Sequence, residues 1–374
     1  MRVLMLSKAC IVGIYQRKLE EIARHPDVTL RVLVPPSWKD ERGETQLERA
    51  FTDGYELTVT PIRLNGNFHL HYYPEFTKQL HDFQPDIVHI DEEPYNLATW
   101  LALRATRQME AKTLFFSWQN IARRYPPPFS WMEQTALRTV DYALVGTESS
   151  AEVWRIKGYQ GKMAVIPQFG VDPELFTPVQ RTSQHMPFMI GFAGRLVSEK
   201  GVDLLLNTLA TLTDLDWRLK IIGGGPERNR LEQQAEHLNI AGRVEFVGLV
   251  PSIEMPSHLQ QLDALVIPSR TLPNWKEQYG RVIIEAMASE VAVVGSNSAA
   301  IPDVVGHAGL IFPENDVPQL ACHLRQLMED RDFCISLGKR GRQRILENFT
   351  QAQIAAQTVA VYREMLNSAQ NGGA

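Results

Sequence analysis

The chain has 374 residues, of which 44% are hydrophobic and 22% charged, and its formal net charge is −5 at pH 7. This length suits two domains of ordinary size, each with its own hydrophobic core. The slightly acidic balance argues against a general nucleic-acid-binding protein, whose surface would be basic. We therefore expect a soluble globular protein without a nucleic-acid partner.

The cysteines and the apolar segments bear on the compartment. Cys10, Cys322 and Cys334 are few and scattered, show no metal-ligand spacing and favour a reducing compartment. The apolar N-terminus is interrupted by Lys8 and fits a first β-strand better than a signal peptide. We find no stretch of the roughly 18 apolar residues that a transmembrane helix needs. The sequence therefore predicts a cytoplasmic protein.

Short apolar runs alternate with helical patterns in the N-terminal half. Strands are predicted at 3–6, 29–34, 57–61, 87–90, 113–116 and 142–145. Helices are predicted at 17–24, 76–83, 96–109 and 149–157. This alternation is typical of a doubly wound α/β domain, in which ligands bind at the carboxyl ends of parallel strands.

Acidic residues follow the fourth of these strands. They are Asp91, Glu92 and Glu93, and Tyr95 comes shortly after them. Carboxylates at a strand end are costly unless they are solvated or bound to a partner. The segment therefore predicts either a solvated loop or helix cap, or hydrogen bonds to the hydroxyl groups of a substrate.

Two other N-terminal segments leave alternatives open. Trp118 follows the fifth strand, and it could form a stacking platform or belong to the core. His69 and His71 lie in an aromatic stretch without an evident third metal ligand. For this stretch we expect an aromatic surface or a substrate-binding loop rather than a metal site.

A strand–loop–helix unit in the C-terminal half carries two cations. The apolar run 188–193 ends at Gly194, Arg195 and Lys200 follow in the loop, and a helix is predicted from Leu204. Arg grips phosphate oxygens bidentately and Lys adds a point charge. The loop therefore predicts an anion site, with a solvated surface loop as the alternative.

Further apolar runs predict a second parallel sheet. They lie at 219–222, 244–250, 264–268 and 291–295, with helical stretches between them. Gly223, Gly224 and Gly225 follow the first of these runs, and such a turn lets a ligand approach the backbone.

Two carboxylates frame a predicted helix. Glu277 precedes Gly280, and Glu285 lies within the apolar segment that follows. At ~1.5 Å per residue the two are about 8–12 Å apart along the chain, which suits a nucleotide-sugar. One carboxylate can bind sugar hydroxyls and the other ribose hydroxyls, while N–H groups at the helix N-terminus bind a diphosphate. An ordinary amphipathic helix is the alternative.

Taken together, these motifs resemble the C-terminal domain of family 4 retaining glycosyltransferases of the GT-B fold. The resemblance covers about residues 141–350 and is carried by the segments 165–172, 194–201, 223–227, 246–248, 268–269 and 277–288. It implies an α/β chain of two Rossmann-like, doubly wound domains that face a central cleft. An acceptor domain would cover 1–168, a nucleotide-sugar-binding domain 169–349, and a last helix at about 350–366 would pack back on the first domain.

The resemblance also implies roles for individual residues. Arg195 and Lys200 would hold the donor diphosphate, Glu277 would contact the sugar, and these three would carry catalysis. Glu285 would contact the ribose. The other expected donor contacts are Gly13, Gly194, Gly224, Val250, Gln278, Tyr279, Gly280, Arg281 and Val282.

The acceptor would be bound by the N-terminal domain. The candidates are Asp91, Glu92, Glu93, Tyr95, Trp118, Gln119, Asn120 and Arg123. Many members of the family carry a histidine near position 118, so Trp118 puts the usual histidine contact with the donor sugar in doubt. Gln119 or Asn120 could supply amide hydrogen bonds instead.

The implied activity is retaining transfer of a sugar from a UDP- or GDP-linked donor to a hydroxyl acceptor, which is a glycan, a glycolipid or a small metabolite. We expect no cofactor and no obligatory metal. Peripheral contact with the inner face of a membrane is expected if the acceptor is a lipid. The alternatives are a nucleotide-sugar epimerase, another GT-B enzyme, or a non-catalytic protein that binds nucleotides or carbohydrates.

Asp214 and Asp216 match the metal signature of the other major glycosyltransferase fold. They follow a predicted helix and precede a strand, which is the wrong end of a parallel sheet for a ligand. We interpret them as a turn.

Overall fold

The structure, a computed structural model, describes residues 1–40, 43–179 and 187–370. It divides into two compact units. The first comprises Met1–Gly170 and the C-terminal segment from Gln351, and the second comprises Val171–Thr350. The boundary expected from the sequence lay between residues 168 and 169, and the return to the first domain was expected at about residue 350.

The first unit is built on a parallel sheet and also contains an antiparallel strand pair. Its strands are β1 (Arg2–Leu6), β2 (Thr29–Val34), β3 (Ser37–Asp40), β4 (Gly43–Gln46), β5 (Glu56–Val59), β6 (Ile87–Ile90), β7 (Lys112–Ser117), β8 (Tyr142–Val145) and β9 (Lys162–Val165). The sheet order is β5-β2-β1-β6-β7-β8-β9, while β3 and β4 form a separate antiparallel pair. The strand order reverses between β1 and β6, so the carboxyl ends of these two strands mark the expected binding crevice.

The second unit contains another parallel sheet. Its strands are β10 (Phe188–Ala193), β11 (Trp217–Ile222), β12 (Val244–Gly248), β13 (Ala264–Ile267), β14 (Ala292–Ser296) and β15 (Leu310–Phe312). The order β12-β11-β10-β13-β14-β15 reverses between β10 and β13. The loops after these two strands are therefore neighbours, although about 70 residues separate them in the sequence.

Helices cover both sheets. In chain order they are α1 (Arg17–Ala23), α2 (Phe76–Phe83), α3 (Leu97–Thr106), α4 (Phe129–Thr139), α5 (Glu148–Ile156), α6 (Val202–Ala210), α7 (Arg228–His237), α8 (Met255–Leu259), α9 (Arg281–Ala288), α10 (Ile301–Val305), α11 (Val317–Glu329), α12 (Arg331–Asn348) and α13 (Gln351–Gln370). Because helices pack on both faces, the central strands are continuous apolar runs rather than alternating ones. The strands β1 and β13 are buried along nearly their whole length.

The last helix belongs to the first unit. Helix α13 packs against α1, and its Ile354, Val359 and Tyr362 join the core that includes Val3 and Leu19. The phenolic oxygen of Tyr362 lies 2.7 Å from Nδ1 of His89 on β6. The helix is longer than the predicted span of about 350–366.

Some elements escaped the sequence analysis. The β3–β4 pair was missed because its residues are mostly polar and exposed, so no apolar run marks it, and residues 41–42 between the two strands lie outside the described residues. Strand β9 was missed because it is a short edge strand that starts with an exposed lysine. The strand predicted at 57–61 ends two residues earlier, at Val59.

In the part of the chain that the structure describes, no helix is both long enough and apolar enough to cross a membrane.

Candidate active site

Glycines let the loops of the second unit approach one another backbone to backbone. Gly201 has φ +69°, and a Cβ there would lie 2.0 Å from the carbonyl oxygen of Pro268. Gly223 has φ +138°, and a Cβ there would lie 1.9 Å from the carbonyl oxygen of Gly194. No other residue fits such positions. The loops after β10, β11 and β13 are therefore in contact at the carboxyl edge of the sheet.

This edge brings together two of the predicted catalytic residues. The Lys200 ammonium donates a hydrogen bond to Oε2 of Glu277 at 2.5 Å. The hydroxyl of Ser269 donates to the same oxygen at 3.0 Å. The centroid of the Trp275 ring lies 5.1 Å from the Lys200 nitrogen. Lys200 thus pairs with Glu277 when no ligand neutralises it.

The remaining predicted donor contacts of this unit lie around the same loops. Arg195 is exposed in the loop directly after Gly194. Gly224 packs against the side chain of Leu249, and a Cβ added to Gly224 would lie 3.4 Å from Leu249 Cγ. Leu249 is 85% exposed, and Val250 beside it is half-buried. An exposed leucine next to a glycine offers an apolar surface to a flat ligand such as a base.

The second predicted carboxylate lies inside helix α9. Gly280 forms the N-cap with φ +69°, and the half-buried Val282 lies in the first turn. Glu285 is buried and accepts an ion-pair contact from Arg281 at 2.9 Å. Burial raises the pKa of the Glu285 carboxyl, and Arg281 opposes that effect. The arginine one turn earlier therefore keeps this carboxylate in place.

The two residues before the cap differ in their exposure. Gln278 is exposed, whereas Tyr279 is buried, and its ring centroid lies 6.5 Å from that of Phe349. Only the first of these two side chains is presented to solvent.

In the first unit Asp91 and Glu92, which follow β6, are buried, so the alternative of a solvated loop was wrong for these two acids. Asp91 is buried and accepts hydrogen bonds from the Ser7 hydroxyl at 2.5 Å and from Nε2 of Gln168 at 2.9 Å. Burial raises its pKa, while the nearby Lys18 ammonium lowers it. Asp91 therefore joins the ends of β1 and β6 to the segment that leaves the unit.

Glu92 forms a buried ion cluster. Its carboxylate accepts from the Lys8 ammonium, receives the Tyr73 hydroxyl at 3.2 Å and lies 3.4 Å from Nε2 of His71. Burial favours the neutral acid, but Lys8 and His71 outweigh burial and lower the pKa of Glu92 to about 2. The prediction of a surface position is thus wrong for His71, which is fully buried, with Nδ1 3.0 Å from the carbonyl oxygen of Phe68.

Glu93 is half-buried and accepts hydrogen bonds from residues at the end of β7. It accepts hydrogen bonds from the Ser117 hydroxyl at 2.6 Å and from the backbone N–H of Trp118 at 2.8 Å. Burial raises its pKa to about 7, although both donors act in the opposite direction. Neighbouring glutamates in one loop therefore have pKa values shifted in opposite directions.

Trp118 is packed more like a core residue than like an open platform. Its indole N–H donates to Oε1 of Gln168 at 2.7 Å. The ring lies so close to Gly146 that a Cβ there would be 2.0 Å from Trp118 Cζ3. Gln119 and Asn120 are also buried, and Nε2 of Gln119 donates to the backbone.

The other N-terminal candidates occupy an aromatic cluster and the loop after β1. Tyr95 packs on Tyr125 with ring centroids 4.4 Å apart, and His69 lies in the same cluster. Arg123 is exposed near these rings. The N–H of Gly13 donates to the carboxylate of Glu48 at 2.6 Å, so an anionic group of the chain itself already accepts from this amide.

Comparison with known sequences decides the family. Residues 176–344 match the family described as "Glycosyl transferases group 1", and residues 23–175 match "Glycosyltransferase Family 4". The chain belongs to the family 4 glycosyltransferases.

Curated relatives match part of the sequence of this glycosyltransferase family member. It is 31% identical over 201 residues to a GDP-mannose-dependent alpha-(1-6)-phosphatidylinositol monomannoside mannosyltransferase of Mycobacterium tuberculosis, over 50% of this chain and 52% of the relative. It is 32% identical over 267 residues to a D-inositol 3-phosphate glycosyltransferase of Corynebacterium urealyticum, over 65% of this chain and 61% of the relative. The matches therefore span about half to three fifths of these relatives.

Solved structures establish the fold. The sucrose-phosphate synthase of Thermosynechococcus elongatus superposes with a TM-score of 0.73 at 19% identity, over 98% of this chain and 100% of that one. Anabaena Alr3699/HepE in complex with UDP-glucose gives a TM-score of 0.69 at 18% identity, over 97% and 100%. The predicted fold class, GT-B with Rossmann-like units, is confirmed.

Each unit of this glycosyltransferase family member contains residues at its strand ends that were not predicted from the sequence. In the second unit they are Ser269 and Trp275, which contact the Lys200–Glu277 pair. In the first unit they include Lys8 and Gln168, which bind the carboxylates after β6. Lys8 follows β1 at the switch point, so its topological position was a usable signal, whereas nothing local marks Gln168.

The Asp-x-Asp motif lies away from these loops. Asp214 precedes β11 and pairs with Arg325 at 2.7 Å, as expected for a surface turn. Among residues 1–40, 43–179 and 187–370, no group of three or more His, Cys, Asp or Glu side chains is arranged to hold a metal ion.

The raised pKa of Glu93 predicts a pH-dependent stability. A carboxyl whose folded pKa is about 7 and whose usual pKa is 4.5 stabilises the fold fully below pH 4.5 and loses that contribution as the pH rises through 7. Glu93→Gln removes this linkage. Wild type should lose stability as the pH rises, whereas Glu93→Gln should not. The free energy of unfolding of the variant minus that of wild type should therefore increase by up to about 3 kcal/mol between about pH 4.5 and 8. Urea unfolding across this range measures the difference, and a pH-independent difference would contradict the assigned shift.

Proposed function

We propose that the protein is a retaining glycosyltransferase that moves a sugar from a UDP- or GDP-linked donor to a hydroxyl acceptor. The observation that carries this proposal is the Lys200–Glu277–Ser269 cluster at the carboxyl edge of the second sheet, beside the Arg195 loop and the start of α9. A relative described as GDP-mannose-dependent and a solved neighbour in complex with UDP-glucose agree with such donors.

In this proposal the donor lies along the loops of the second unit. Arg195 and Lys200 bind the diphosphate, Glu277 binds sugar hydroxyls, and Glu285 binds the ribose. Gly224 and Val250, together with the exposed Leu249, border the base. The distance between the two carboxylates along one loop–helix segment matches the length of a nucleotide-sugar.

Catalysis would follow from charge stabilisation. The bond from the anomeric carbon to the diphosphate oxygen breaks, and a bond to the acceptor oxygen forms on the same face of the sugar. Arg195 and Lys200 stabilise the negative charge of the departing diphosphate. The acceptor proton passes to an oxygen of that diphosphate, so no protein nucleophile is required. With two cations in this role we propose that no metal is obligatory, and transfer in the presence of EDTA tests that point.

The acceptor would bind to the first unit at the carboxyl ends of its strands. Glu93, Trp118 and Asn120 lie there, and Lys8 and Glu92 fix the adjoining loop. A glycan, a glycolipid or a small hydroxylated metabolite would be the acceptor, with peripheral contact to the membrane in the case of a lipid. Asn120→Ala should alter the acceptor KM or kcat at least about threefold while nucleotide affinity stays constant. Unchanged acceptor kinetics would place the acceptor elsewhere.

The test of the proposed function is a donor screen on the full chain. Release of nucleoside diphosphate is measured for each UDP- and GDP-sugar, with and without candidate acceptors, and Arg195→Ala serves as the diphosphate-binding control. A glycosylated product with retained anomeric configuration supports the proposal. A changed sugar without an acceptor would identify an epimerase, and nucleotide binding without turnover would identify a non-catalytic protein.

A further inference from the structure

Glu277 holds two different hydrogen-bond donors on one oxygen. Oε2 accepts from the Lys200 ammonium at 2.5 Å and from the Ser269 hydroxyl at 3.0 Å. Ser269 is fully buried and Glu277 is 7% exposed. The two donors respond differently to an anionic ligand, because an ammonium forms a stronger, charge-assisted bond with a phosphate than a neutral hydroxyl does.

Ser269 is itself fixed by the sheet. Its carbonyl oxygen accepts the hydroxyl hydrogen of Ser296 at 2.6 Å, and Ser296 is the fully buried last residue of β14. Strands β13 and β14 pair up to Ile267 and Gly295, which lie two residues before Ser269 and one residue before Ser296. The hydroxyl that reaches Glu277 is therefore carried by a rigid edge rather than by a loose loop.

We propose that Ser269 is a positioning residue that keeps the Glu277 carboxylate in place while Lys200 exchanges this carboxylate for the diphosphate of the donor. The inference rests on the proposed function. Once the ammonium turns to the diphosphate, the largely buried Glu277 carboxylate loses this cationic partner. A buried carboxylate is costly unless it is hydrogen-bonded, and Ser269 supplies a bond that persists.

The consequence is a coupling between the two ends of the donor. Before the diphosphate binds, Lys200 occupies the oxygen that sugar hydroxyls would need. After it binds, Ser269 still holds Oε2 in a fixed orientation, and the sugar hydroxyls can donate to the carboxylate. The sugar is thus recognised strongly only when the diphosphate is present.

Kinetic comparison of serine variants tests this role. Ser269→Ala should lower kcat for transfer about tenfold, the loss of one hydrogen bond to a charged group, while affinity for free nucleoside diphosphate stays within about twofold. Ser269→Thr retains the hydroxyl and should recover most of kcat. The matched control is Thr208→Val, which deletes an equally buried hydroxyl that donates to the Leu204 carbonyl in α6, and which should leave kcat unchanged.

A double-variant cycle separates positioning from general stability. In the Glu277→Ala background, Ser269→Ala should cause no further loss of kcat, because the group it positions is absent. Losses that multiply in the double variant would overturn the inference.

Crystal structures decide the same point without turnover. In Ser269→Ala soaked with UDP or GDP, the Glu277 carboxylate should leave the position it holds in the wild-type complex. If the carboxylate keeps its position without the hydroxyl, the inference is overturned. If the wild-type protein turns over no donor, the proposed function fails. Structures of wild type and Ser269→Ala without nucleotide would still show whether Ser269 orients Glu277.

Discussion

Glu277→Ala is expected to lower sugar transfer roughly ten- to a hundredfold, the cost of losing a hydrogen-bonded carboxylate worth about 1.5–3 kcal/mol. Affinity for the free nucleoside diphosphate should be unchanged or higher, since this ligand has no sugar. The structure adds the reason for a gain: Lys200 loses the intramolecular partner with which a diphosphate must compete. Transfer kinetics and calorimetry with UDP and GDP measure the two effects.

Glu285→Ala is the matched comparison, because it removes the other carboxylate of the same loop–helix segment. It should weaken both the donor and the free nucleotide, since the ribose is common to them. Glu285 is buried and paired with Arg281, so melting curves must accompany the binding data. If both substitutions change free nucleotide affinity equally in well-folded variants, the proposed division between sugar and ribose is refuted.

Most of the fold could be predicted because parallel strands leave a strong sequence signal. Strands such as β10 and β14 are covered on both faces, so each is a short apolar run bounded by glycine or a polar turn. The β3–β4 pair gives no such signal because it packs little apolar surface. Its existence depends on tertiary context, which propensity alone does not capture.

The candidate donor site was predictable where its residues share one segment. Glu277, Gly280 and Glu285 lie within nine positions of one another, so spacing along a helix relates them directly. The Lys200–Glu277 bond was not predictable from spacing, because 77 residues separate the partners and only the order of β10 and β13 brings them together. The Ser269–Glu277 bond was not predictable for a different reason: the partners are only eight positions apart, but the loop between them has no regular spacing that relates their side chains.

The environment of the carboxylates after β6 could not be predicted from the sequence. A run of three acids looks solvated in a sequence, because isolated charges avoid burial. In the fold each acid meets its own donors: Ser7 for Asp91, Lys8 for Glu92 and Ser117 for Glu93. These donors come from the ends of β1 and β7, which flank β6 in the sheet. The strand order therefore determines the environment of these acids, and no local pattern contains it.

The Glu92 cluster leads to a large expected effect on stability. Glu92→Ala leaves the Lys8 ammonium and His71 without their shared carboxylate in a buried place. Breaking a buried ion pair on one side typically costs about 3–5 kcal/mol. We expect the free energy of unfolding of the first unit to fall by that amount at pH 7, as measured by urea unfolding of the full chain.

Glu364→Ala is the matched control, because Glu364 pairs with Lys162 at 2.8 Å on the surface, where a salt bridge contributes less than about 1 kcal/mol. The pH dependence gives a second check. Lys8 and His71 lower the pKa of Glu92 from 4.5 to about 2, so its contribution is present above pH 4.5 and is lost as the pH falls towards 2. The stability gap between wild type and Glu92→Ala should therefore narrow below pH 4.5, which is the reverse of the trend expected for Glu93. A gap at pH 7 no larger than that of Glu364→Ala would show that the cluster does not stabilise the fold.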